Sequence, residues 1–224
     1  MSEETLDIPL FPLQVVLFPG MALPLHIFEE RYRWMIADCL EGKRQIGVIL
    51  AKPEAEGTVT AYSIGTSALI AHVDEQEDGT MDILTAGLDR FRVLHLLRTE
   101  PYIVGRIEWF PLEKKEAPGA VRLANKAKTP FARYLRLVSE VLGTTIHIES
   151  APKDPTDLAY LMAIALQVSM EEKQELLSIP SLPALLWREC LILSREEMLL
   201  SRMQRAQRSN TGYVRGITSD LSIN

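Results

Sequence analysis

Cysteine is scarce in this 224-residue chain: Cys39 and Cys190 are the two, and no Cys-x-x-Cys occurs. Each sits in a helical pattern and reads as a small buried hydrophobe, so neither a disulfide framework nor a zinc cluster is expected. Long apolar runs are missing as well. No stretch reaches the ~18 uncharged apolar residues that a membrane span needs. The opening Met1-Ser2-Glu3-Glu4 is acidic and has no apolar run, unlike a signal peptide. A cytoplasmic chain is the expectation. An excess of basic residues is also lacking: 24 Lys and Arg stand against 30 Asp and Glu, a net charge of −6. That balance argues against duplex nucleic acid as the main partner.

Catalytic motifs are missing too. There is no Gly-x-x-x-x-Gly-Lys-Ser/Thr phosphate loop and no Gly-x-Ser-x-Gly. Ser63, Ser67 and Ser139 have no His or Asp placed nearby as a nucleophile would require. His26 and Glu29 form His-x-x-Glu, but a zinc site needs a third ligand, and His72 and His95 are distant in sequence. No enzyme activity, metal or cofactor is expected. What the chain does have is apolar material: 47% of residues are hydrophobic and 24% charged, enough to build a substantial core.

Two regimes divide the chain. Residues 1–117 read as a β-domain and residues 118–224 as a helical bundle with a polar tail. The join, Glu113 to Gly119, is charged and ends in Pro-Gly. The first regime opens with short apolar runs broken by Pro9, Pro12 and Pro19, which suits edge strands or irregular extended segments. Phe28 to Leu40 reads as a helix, with Phe28, Tyr32, Ile36 and Leu40 on one face and Gly42 as its stop. Strands are expected over Gln45–Ala51, Ser63–Val73, Met81–Thr85, around Phe91–Leu97, and over Tyr102–Leu112. Asp78-Gly79 marks a hairpin turn. In the second regime Thr129-Pro130 looks like a helix start, with Gly143 ending that helix. Asp154–Val168 gives the next. Ser169-Met170-Glu171-Glu172 matches a capping box for a short helix through Leu177. Ser181 caps a long helix to about Arg208, and a mobile polar tail is expected from Ser209.

The string Pro9-Leu10-Phe11-Pro12-Leu13, then Val16-Leu17-Phe18-Pro19-Gly20, then Leu23-Pro24-Leu25-His26-Ile27-Phe28-Glu29-Glu30-Arg31-Tyr32 resembles the opening of the Lon protease N-terminal domain. Gly87-Leu88-Asp89-Arg90-Phe91-Arg92-Val93 is similar to the family's Gly-x-x-Arg-Phe signature, and Tyr102 to Glu108 resembles its last strand. The likeness runs over residues 7 to 205. It implies an α+β protein: a PUA-like β-barrel or folded sheet with one helix, then a C-terminal helical bundle. In that family the region selects and holds protein substrates. The chain is expected to end before an ATPase or protease domain, leaving the recognition role alone.

The expected function is therefore a non-catalytic protein- or peptide-binding module whose partners are other proteins or unfolded segments. The alternative is nucleic-acid or small-ligand binding through the PUA-like domain, a fold-level analogy. Either a monomer or a dimer fits the sequence. Six residues are candidates for partner contact. Arg31 and Arg90 lie in the family-like motifs; they could pair with a partner's carboxylates or form internal ion pairs, such as Arg90 with Glu29 or Glu30. Phe28, Tyr32 and Trp34 form an aromatic group, Phe28 and Tyr32 being the ones expected in the core. Trp109 alternates with Phe110, so one faces in and the other out.

Overall fold

The computed structural model describes residues 5–52, 61–143 and 151–219, with side chains as far as Arg205. It is a mixed α+β structure. Six strands form one sheet: β1 (Thr5–Leu13), β2 (Ala22–Ile27), β3 (Gln45–Ala51), β4 (Ala61–Glu75), β5 (Met81–Arg98) and β6 (Ile103–Trp109). Helix α1 (Glu30–Glu41) lies between β2 and β3; α2 (Pro118–Leu142), α3 (Pro155–Ala165), α4 (Met170–Ser178) and α5 (Leu182–Ser219) follow the sheet. The chain separates into two compact units: Met1–Lys115 with Leu166–Leu182, and Glu116–Ala165 with Pro183–Asn224.

In the first unit the strand order is β2-β5-β4-β3-β1-β6, and β6 also pairs with β5. The ladder thus runs from β5 through β4, β3, β1 and β6 back to β5, while β2 stands outside that circuit. One cluster, Ile8, Leu10, Ile49, Phe91 and Ile107, is built from strands of the circuit. Phe91 fits because glycines face it: a Cβ on Gly47 or on Gly65 would come within 2.8 Å of its ring. A second, larger cluster joins the sheet to α1 through Met35, Ile36 and Cys39. Burial, together with the Asp38 carboxylate, pushes the Cys39 thiol up to about 11.

Several elements depart from the sequence reading. Met81–Thr85 and the strand around Phe91 are one 18-residue strand, β5. Gly87, one of the residues between them, lies within the strand. It permits close approach: a Cβ there would lie 2.3 Å from the Phe18 carbonyl oxygen. Helix α2 starts at Pro118 and runs through Pro130 rather than starting there. Pro118 takes the first helical turn, where a missing N–H costs nothing. The buried positions Ala120, Ala124, Ala127, Phe131, Tyr134 and Val138 keep helical spacing across Pro130, so packing outweighs the one hydrogen bond that proline removes. Helix α5 is helical through Ser219, past the expected end near Arg208; the rest of the expected polar tail, 220–224, lies outside the described residues.

Helix α4, grouped by its sequence with the bundle, belongs instead to the sheet-containing unit. Its N-cap forms as the sequence expects, Ser169 Oγ accepting from the Glu172 N–H at 3.2 Å. Gln174 donates to the Ile64 carbonyl of β4 at 3.0 Å and so holds the helix on the strand. The Asp78-Gly79 turn also forms. Gly79 takes φ +78, and Asp78 Oδ1 accepts from the Thr80 N–H and hydroxyl at 2.9 and 2.7 Å.

Candidate functional site: a cleft between two sheet edges

The pairing of the N-terminal strands leaves two edges open. β1 pairs with β6 only over Thr5–Leu10; Phe11 to Leu13 pair with β3 alone. β2 pairs with β5 alone. Each segment therefore has one edge outside the ladder, and Pro12 and Pro24 each remove a donor from it. Between the two segments lies a cleft of about 280 Å³, lined by Phe11, Leu13, Leu25 and His26 from the strands and by Phe28, Arg31 and Tyr32 around the start of α1.

Its chemistry is aromatic. The helix begins at Glu30, two residues later than expected, because Glu29 is extended (φ −71, ψ 132) and serves as N-cap. Phe28 is thereby left off the buried helix face, with 66% of its surface exposed. That overturns its expected place in the core. Tyr32 is half-buried and packs its ring against Phe11, with centroids 4.2 Å apart. Burial raises the Tyr32 hydroxyl above its ordinary range and keeps it neutral. The Arg31 guanidinium lies over the Tyr32 ring at 4.6 Å and binds the Glu29 carboxylate at 2.7 Å. His26 stacks beside Phe28 with centroids 6.1 Å apart, and its Nδ1 lies 2.8 Å from Asp82 Oδ1. The His-x-x-Glu pair is thus divided, His26 toward Asp82 and Glu29 toward Arg31.

Three of the six residues singled out in the sequence, Phe28, Arg31 and Tyr32, meet in this cleft. The other three do not. Trp34 is 50% exposed on α1 but does not line it. Trp109 is half-buried against the Phe91 cluster. Arg90 is 2% exposed, and Glu29, one of its two expected partners, is bonded to Arg31. The Arg90 Nη1 donates to the carbonyls of Leu177 and Ile179, at 2.6 and 2.8 Å, at the end of α4. A carbonyl-rich helix C-terminus attracts a cation, so Arg90 ties α4 to the sheet. Its guanidinium also lies over the Phe110 ring at 4.8 Å, and that of Arg92 lies over the same ring at 4.5 Å. Phe11, Leu13, Leu25 and His26 were missed as site residues. The proline spacing around them was the available signal, since it marks edges.

Comparison with known proteins places this geometry. The model of the ATP-dependent protease La (LON) substrate-binding domain matches residues 7–195. The chain belongs to this family. The Lon protease of Anaeromyxobacter dehalogenans is 28% identical over 200 residues, covering 86% of this chain and 24% of that protein. The Lon protease of Dictyoglomus thermophilum is 28% identical over 218 residues, covering 92% and 27%. The chain thus spans about a quarter of the length of the curated relatives it matches. Among solved structures, the Lon N-terminal domain protein from Xanthomonas campestris superposes with a TM-score of 0.59 at 25% identity, covering 82% of this chain and 96% of that one. The N-terminal domain of the Mycobacterium avium complex Lon protease shares the fold, with a TM-score of 0.54 at 19% identity over 84% of this chain and 98% of that one.

Proposed function

We propose that this chain is a non-catalytic recognition module that holds extended, apolar segments of other proteins in the cleft between β1 and β2. The observation that carries the proposal is the exposed Phe28 ring beside the Phe11–Tyr32 stack, set between two strand edges outside the ladder. An extended segment can hydrogen-bond to a free strand edge while its side chains enter an apolar cleft. Arg31 and Glu29 neutralise each other at the rim, which suits an uncharged occupant. The family match to a substrate-binding domain supports the same reading. We place the module in the cytoplasm. No helix among the described residues is long and apolar enough to cross a membrane, and the two thiols are free.

The test is fluorescence anisotropy with a labelled, reduced and carboxymethylated model protein held unfolded. Wild type should bind it, and Phe28→Ser should weaken binding by about tenfold, the ordinary size of losing one aromatic anchor. Phe28 is exposed, so the variant keeps its fold. Equal binding by wild type and variant would remove the cleft from the function.

A further inference from the structure

Helix α2 is basic in a chain that is acidic. Arg122, Lys126, Lys128, Arg133 and Arg136 fall between Pro118 and Ser139 and no acidic residue does, although the chain as a whole has a net charge of −6. Four of these cations share one side. Positions 122, 126, 133 and 136 are separated by four, seven and three residues, spacings that return to the same face of a helix. All four are exposed. The opposite face, with Ala120, Ala124, Ala127, Phe131, Tyr134 and Val138, is the buried one. Arg133 is bonded to Glu197 of α5 at 2.6 Å. Arg122, Lys126 and Arg136 have no carboxylate partner among the described residues. Glu140, one turn beyond Arg136, is engaged by Gln204. Like charges four residues apart repel, as Arg122 and Lys126 do. The positive end of the helix dipole adds to them, and no acidic residue in the first turn offsets it.

We propose that this face of α2 binds a short, extended, acidic segment of a partner protein. Arg122 to Arg136 spans about 21 Å at the rise of an α-helix, the length of about six extended residues. Two uncharged side chains favour a peptide over a nucleic acid. Asn125 and Thr129 are exposed on the same face, between the cations. Each both donates and accepts hydrogen bonds. A peptide backbone offers both partners, whereas a phosphodiester only accepts. Bases also need aromatic rings to stack on, and both aromatics of α2, Phe131 and Tyr134, are buried. The net negative charge of the chain repels long polyanions. A short segment seated within the Debye length, about 8 Å at physiological ionic strength, responds to the local cations instead. This surface is independent of the cleft between β1 and β2.

The test is fluorescence anisotropy of the full chain with labelled heptapeptides in which Asp or Asn alternates with Ser. Wild type should bind the Asp peptide at least about tenfold more tightly than the Asn peptide, and the preference should shrink as salt rises. The double variant Arg122→Glu, Lys126→Glu should lose at least about tenfold in affinity for the Asp peptide. Both positions are exposed and glutamate favours helix, so α2 keeps its fold, which helical circular dichroism checks. If that variant unfolds, Arg122→Gln with Lys126→Gln reads the same loss at smaller size. Lys43→Glu with Lys52→Glu makes the same change in net charge away from α2 and should leave binding unchanged. The proposal is overturned if the Asp and Asn peptides bind alike, or if the α2 variants bind the Asp peptide as wild type does. It is also overturned if the Lys43 and Lys52 reversal weakens binding as much. A thymidine heptanucleotide or phosphatidylglycerol vesicles held through Arg122 and Lys126, with the Asp peptide unbound, would overturn it as well. Phe28→Ser should leave Asp-peptide binding unchanged, which keeps this result separate from that of the cleft.

Discussion

Replacing Arg90 with methionine should destabilise the sheet unit by about 3–5 kcal/mol, the range for removing one partner from a buried, charge-assisted network. Methionine fills much of the same volume but donates nothing. The carbonyls of Leu177 and Ile179 would lose the guanidinium that now reaches both, and Phe110 would lose one of the two cations stacked on it. The loss should be local before it is global. Hydrogen exchange should show α4 opening first, because Arg90 holds its C-terminal end while Gln174 holds it to Ile64 of β4. Arg90→Lys should recover part of the stability, since an ammonium keeps the charge but cannot span two carbonyls as a planar fork does. Urea unfolding with exchange detection over Met170–Ser178 measures both effects. A loss under about 1 kcal/mol for Arg90→Met would contradict this role, being no more than a typical surface substitution produces.

Substituting Glu189 with leucine should have the opposite sign, stabilising the helical unit by roughly 1–3 kcal/mol at neutral pH, the usual cost of a buried polar group without a partner. Glu189 lies on α5 with no exposed surface, and both of its carboxyl oxygens lack a hydrogen-bond donor among the described residues. Burial raises its pKa well above the ordinary carboxyl range. The folded state therefore keeps a proton that the unfolded chain releases. Where the folded state binds more protons, stability falls as pH rises. The fall should begin above the ordinary glutamate range and continue until the folded carboxyl itself ionises. Thermal unfolding followed by helical circular dichroism at pH 4 and pH 8 should show wild type losing more stability than Glu189→Leu over that interval. A variant that is less stable, or that shares the wild-type pH dependence, would mean that Glu189 has a partner in solution.

How far the sequence could be read depended on which force decided each element. The N-cap at Ser169 and the Asp78-Gly79 turn were legible because local chemistry alone forms them. The start of α2 was misread. Pro130 is a strong local signal, yet the alanine and aromatic spacing on either side of it carried more weight in the fold. β5 reads as two strands, Met81–Thr85 and Phe91–Leu97, for a similar reason: Gly87 between them serves a contact with Phe18, distant in sequence, and spacing cannot show that. The site was half legible. Phe28, Arg31 and Tyr32 stand out as a motif, but the sequence places Phe28 in the core because helical spacing carries two residues too far, past an extended Glu29. Arg90 was recognised as important without its partners, since carbonyls at the end of α4 lie 87 and 89 residues away in sequence.

The most direct test of the binding role is amide-resolved NMR of the full chain during titration with a short, uncharged apolar peptide. The expected result is shift changes concentrated on Phe11–Leu13, Ala22–Ile27 and the first turn of α1, with slowed exchange for amides on the outer edge of β2 as they gain hydrogen bonds from the peptide. Shift changes confined to other elements, or none at peptide concentrations that saturate binding, would contradict the assignment of this cleft as the place where the chain holds other proteins.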